Sequence, residues 1–110
     1  MKEEINMETQ KTKEIVTGLL RKSRWNRNSD YALYADYILY MRPDLKPTNY
    51  YDVMAHYKEY DVQSFKSIER IRRKIQSEAR EVGDESLMSD AMIQKYRKEL
   101  EKEYRENFKK

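Results

Sequence analysis

The stretch SFKSIERIRRKIQ, residues 64–76, sets five basic residues and four apolar ones among thirteen positions with a single acid, Glu69. At about 100° per residue, Phe65, Ile68, Ile71 and Ile75 share one arc about 120° wide. That is the buried stripe of an amphipathic helix. Lys66, Arg70, Arg73 and Lys74 fall on the opposite arc, with Ser67 and Ser77 beside them. Arg72 sits on the boundary, where its stem is expected to line the core edge while its guanidinium reaches outward. The stretch thus reads as a helix whose apolar face the fold needs and whose basic face the fold does not.

Outward from this helix, the same periodicity predicts four more. Ile15, Val16, Leu19 and Leu20 place a helix over about 9–23, with Thr9 or Thr12 as its cap; Trp25, just past its end, is expected to pack back on it. Ser29 caps a helix opened by Asp30, DYALYADYILYM, which stops at Arg42 because a residue before proline disfavours the α conformation. Thr48 is expected to cap NYYDVMAHY, where Tyr50, Val53, Met54 and Tyr57 recur at helical spacing. Ser64 restarts the chain as the basic helix, and Gly83 ends it by accepting a left-handed conformation. The last helix, 88–108, is capped by Ser89 and carries a narrow stripe of Ile93, Tyr96, Leu100, Tyr104 and Phe108. That stripe requires a second surface, either the rest of the domain or another copy of the helix.

These five helices fit the composition. A chain of 110 residues that is 38% hydrophobic and 39% charged, with two glycines and two prolines, supports one thin, tyrosine-containing core and the all-α class. Without cysteine it has no disulfide, thiolate nucleophile or thiolate metal site. Its one histidine, His56, is expected on a polar helix face, and excludes a histidine-based triad or a two-histidine metal site. Asp84 and Glu85 beside Gly83 read as a solvated loop rather than an acid/base pair. Neither Gly18 nor Gly83 belongs to a phosphate loop. The expectation is a non-enzymatic protein without cofactor or metal. No apolar run is long enough to span a bilayer and MKEEINMETQ has no signal-type apolar segment, so a cytoplasmic location is expected.

The net charge of +3 is unevenly placed: residues 64–80 hold six Lys/Arg against two Asp/Glu, whereas 31–63 hold three against five. A smaller cluster, RKSRWNRN at 21–28, contains no acid. Such concentration suits a polyanion. Residues 48–80, a short helix, the connection KEYDVQ and a two-faced helix, resemble a helix-turn-helix, although the connection is longer than usual and lacks the turn glycine. On duplex DNA, Arg70 and Arg73 suit base edges, while Lys66, Lys74 and Ser67 suit phosphates. Arg21, Lys22, Arg24 and Arg27 would add a sequence-independent contact or a flanking arm. The tyrosines at 31, 34, 37, 40, 50, 51 and 57 are expected mostly in the core, with one or two at an edge free to stack or to meet a protein.

Two motifs also resemble those of a family of small helix-turn-helix-like proteins of phages and prophages of Gram-positive bacteria. RNSD, residues 27–30, is similar to the family's Arg-x-Ser-Asp, which opens a helix some ten residues after a Leu-Leu pair, here Leu19 and Leu20. SFKSIERIRRKIQ is similar to its Ser-Phe-Glu-(Thr/Ser)-(Val/Ile)-x-Arg-x-Arg-(Arg/Gln)-Lys-x-Gln, with Ser64, Phe65, Arg70, Arg72, Arg73, Lys74 and Gln76 on matching positions. Lys66 departs from the family's glutamate and makes this helix more basic. The resemblance implies a phage or prophage setting and a helix-turn-helix-like DNA-binding protein, and with the basic face the leading expectation is a regulatory one. It also implies an alternative, a module that binds and blocks a host protein, including a defence protein. Homodimerisation through the last helix, or assembly into a structural component, completes the expectations.

Overall fold

Serine side chains and one left-handed glycine mark where the helices begin and end. The computed structural model describes residues 2–46 and 49–108, with side chains from Gln10 onward. Its elements are α1 (Lys2–Lys22), α2 (Arg24–Asn28), α3 (Asp30–Met41), α4 (Tyr50–Ala55), α5 (Phe65–Val82), a 3-10 turn (Glu85–Leu87) and α6 (Asp90–Phe108). The chain is all-α, with no strand among the described residues.

The caps follow the expected chemistry. The Ser29 hydroxyl accepts from Ala32 N at 3.2 Å, Ser64 from Ser67 N at 3.1 Å and Ser89 from Met92 N at 3.3 Å. Each meets one of the donors that a helix start leaves without a partner. Gly83 closes α5 at φ 74°, where its N–H reaches back to Ala79 and Arg80, and α3 stops at Met41 ahead of Pro43. The turn glycine missing before α5 is replaced by Asp61, at φ 58°, since aspartate tolerates the left-handed region better than most residues. Thr48 lies outside the described residues.

Three expectations need correction. α1 begins at Lys2, two turns earlier than expected, because KEEINMETQ is free of glycine and proline and rich in good helix formers; Thr9 and Thr12 are therefore interior positions. The segment after α1 is itself a helix, α2, and Trp25 on it is 78% exposed instead of packed back. The tyrosines divide: Tyr34 and Tyr37 are buried, Tyr50 and Tyr57 partly so, and Tyr31, Tyr40 and Tyr51 are exposed.

The packed centre lies between α1, α3 and α5. Val16, Leu19 and Leu20 meet Leu33, Tyr34, Tyr37 and Ile38 of α3 and Ile68, Ile75 and Ala79 of α5. Val53 brings in α4, and Val62 and Leu87 close the ends. Burying each of the valine, leucine and isoleucine side chains among these contributes about 1.5–3 kcal/mol. α6 holds no buried residue. It is anchored at its start, where Arg24 forms a two-armed pair with Asp90 and the Asn28 side chain accepts from Asp90 N at 2.8 Å. Arg97 pairs with Glu85 and Arg80 with Glu99 further along. Beyond these ties Leu100, Tyr104 and Phe108 are exposed.

Candidate nucleic-acid interface

α5 is held from two sides, which fixes the direction its outer face points. At its start, two α3 tyrosines grip the backbone of Gln63: the Tyr34 hydroxyl donates to Gln63 O at 2.8 Å, and Gln63 N donates to the Tyr37 hydroxyl at 3.0 Å. Burial pushes the Tyr34 hydroxyl up to about 12, and Tyr37 is also raised by burial. Both stay neutral donors and acceptors through the physiological range. Phe65 then packs on Tyr31 and Tyr34 at ring-centroid distances of 5.0 and 5.5 Å.

In its middle, α5 is tied to the junction of α2 and α3. Arg72 Nη1 and Gln76 Nε2 both donate to the carbonyl of Arg27, at 2.8 and 3.0 Å. Arg72 Nε lies 2.7 Å from Asp30 Oδ1. These two wholly buried atoms have no hydrogen-bond partner, so they meet as a charge pair and not along the N–H direction. Arg72 therefore turns inward, its side chain only 15% exposed, against the expectation that its guanidinium reaches into solvent. RNSD and the basic helix, the two motifs singled out in the sequence, meet at this junction.

The second basic cluster is engaged within the chain. The guanidinium of Arg27 donates to Leu20 O at 2.8 Å and to Arg21 O at 3.4 Å, filling carbonyls that the end of α1 leaves open. Arg21 pairs with Asp84 at 3.4 Å and Lys22 with Asp36 at 3.9 Å. Arg24 holds Asp90, whose carboxyl its hydrogen bond keeps below the usual carboxylate range. Asn26, buried, donates to Leu19 O and Asp36. Sequence alone could not separate these cations from those of α5, because their acidic partners lie 14 to 66 residues away along the chain.

On α5 the position differs. Lys66, Arg70 and Lys74 are exposed and make no ion pair among the described residues. Arg73 pairs with Glu69 at 2.7 Å, an exposed one-turn pair worth about 0.3–0.5 kcal/mol and easily exchanged for a phosphate. Ser67 is half-buried and bonded to the capping Ser64 at 2.9 Å, so its hydroxyl serves the helix start. Arg70 also borders a cleft of about 220 Å³ between α1 and α5, with Thr12, Gln63, Ser67 and Ile71. From Lys66 to Lys74 the cations cover about 12 Å of helix axis.

A feature that the sequence reading could not localise lies at the start of α5, where Phe65 meets Tyr31. Tyr31, Tyr34 and Ala35 of α3 and Tyr50, Tyr51 and Met54 of α4 enclose an open, ring-lined pocket of about 200 Å³. Tyr31 and Tyr51 are 67% and 83% exposed. The only available signal was the pairing of tyrosines at 31/34 and 50/51, which periodicity cannot place inside or outside.

Fold and surface together define a small all-α domain with one basic helix face and an aromatic pocket at its start. Among the described residues no group of acidic or histidine side chains is placed to hold a metal ion, and no helix is long and apolar enough to cross a membrane. Comparison with protein-family models, with curated proteins and with solved structures found no match to this chain.

Proposed function

We propose that the chain is a non-enzymatic duplex-DNA-binding protein, regulatory in role, that lays the outer face of α5 against the duplex. The observation that carries this reading is the contrast in pairing: Arg21, Lys22 and Arg24 each face an acid from another part of the fold, whereas Lys66, Arg70 and Lys74 line one exposed helix face with no counter-ion among the described residues. An exposed helix of this width fits the major groove. Lys66 and Arg70 lie in its first turns, the part of a recognition helix that meets base edges. Arg70 and Arg73 have the planar fork that reads guanine, and Lys66 and Lys74 act as point charges on phosphate. The motif resemblance supports a phage or prophage setting for such a protein, and with it the cytoplasm of a bacterial host.

An electrophoretic shift series with random duplex DNA at low and moderate salt tests it. Wild-type protein is expected to retard the duplex at low salt, and the Lys66→Ala/Arg70→Ala/Lys74→Ala variant to lose that retardation while keeping its helical circular dichroism. A variant that binds as well as wild type would refute the assignment.

A second reading, a protein partner or a second copy of the chain, is favoured by one observation: Leu100, Tyr104 and Phe108 form an exposed stripe, with the last two rings 5.1 Å apart. Sedimentation over a concentration range separates the cases. A dimer abolished by Leu100→Glu/Tyr104→Glu would assign the stripe to self-association, and a concentration-independent monomer would exclude it.

A further inference from the structure

The ring-lined pocket at the start of α5 has two of its rings held in place. Phe65 backs Tyr31 at 5.0 Å with the planes 30° apart. Tyr34, in the floor, is pinned by its hydrogen bond to Gln63. A cavity of about 150 Å³ lined by apolar side chains accepts benzene, so the open pocket of about 200 Å³ here has room for one flat ring against its tyrosines. Its depth does not suit a larger organic ligand, whose sites are usually about 300 Å³ or more.

Charge at the rim selects among the possible owners of that ring. Asp30 is paired with Arg72 and Glu69 with Arg73, while Asp52 keeps its charge, accepting from the Tyr60 hydroxyl and facing His56. The neighbouring cation, Lys66, follows directly on Phe65 and opens the row Lys66, Arg70, Lys74, which has no counter-ion among the described residues. A flat aromatic ring carried on a chain of negative charges meets both features, and that is an unstacked base on its sugar-phosphate strand. Stacking on aromatic side chains is tolerant of base identity, because every base has a π-face.

Resting on the reading of α5 as a DNA-binding face, we infer that the Tyr31/Tyr51 pocket takes one unpaired base, so that the protein prefers DNA carrying a single-stranded end or displaced base over continuous duplex. Fluorescence anisotropy with two labelled DNAs, a blunt duplex and the same duplex with a short single-stranded tail, tests this on the full chain. The tailed DNA is expected to bind about 10-fold more tightly. Tyr51→Ala should bring the two affinities together, and Tyr51→Trp should restore the difference. Because Tyr51 is 83% exposed, neither substitution disturbs the core. Equal affinities in wild type, or a preference that survives Tyr51→Ala, would overturn the pocket assignment while leaving duplex binding in place. Absence of binding to both DNAs at low salt would overturn the two together.

Discussion

Arg72 shows most directly what a residue's pattern and its surroundings each determine. The helical wheel correctly put it at the edge of the apolar arc, but the outcome depended on Asp30 and on the Arg27 carbonyl, 42 and 45 residues earlier in the chain. Once a carboxylate is half-buried at that edge, a guanidinium is drawn in to match it, since an uncompensated buried charge is costly. Gln76 completes the same junction. Arg27, Asp30, Arg72 and Gln76 thus have an architectural task, whereas Lys66, Arg70 and Lys74 on the outer face of α5 have none among the described residues. Arg72→Ala is expected to lower stability by about 1–3 kcal/mol, read as a shifted urea midpoint. Lys74→Ala, on the exposed arc, should change it by less than about 0.5 kcal/mol. Equal effects of the two substitutions would contradict this division of roles.

At the scale of elements, the sequence was most informative where a local rule acts on a neighbouring residue. Ser29, Ser64 and Ser89 as caps, Gly83 as a terminator and Pro43 as a stop are all local chemistry, and the structure has each where the sequence suggested it. The α5 stripe was equally legible: Ile68 and Ile75 are buried, and Phe65 and Ile71 pack against the core. α2 and the exposure of Trp25 were not, because a five-residue helix carries too little periodicity to announce itself. The tyrosines were also ambiguous, because each ring suits a core and each hydroxyl suits a surface. The clamp of α3 on Gln63 has a pH consequence. Tyr34 titrates near 10 when unfolded and at about 12 when folded. Its raised value therefore contributes stability that is fully present below pH about 10 and is lost as pH rises toward about 12. Urea midpoints followed across this window should fall for wild type and fall less for Tyr34→Phe, which also begins lower through loss of the bond to Gln63. An unchanged alkaline slope in Tyr34→Phe would remove Tyr34 from the account.

For the molecule as a whole, shape and charge support one another. The radius of gyration is 17.0 Å, with extents of 60 × 35 × 20 Å, against about 13 Å for a compact domain of this length; the long helices account for the excess. The all-α class was readable from composition and periodicity. Which charges were already matched was not, since that depends on contacts between α1, α2, α5 and the start of α6. Those contacts match Arg21, Lys22 and Arg24 to acids from other parts of the fold and leave the row on α5 unpaired among the described residues. The most direct measurement is duplex-DNA affinity over a series of salt concentrations, plotted as log affinity against log salt. If Lys66 and Lys74 neutralise phosphates, wild type will show a slope of about −2 or steeper, and alanine at either lysine will reduce its magnitude by about one. Binding that is absent at low salt, or a slope unaltered in the triple variant, would contradict the assignment of α5 as the DNA-binding face.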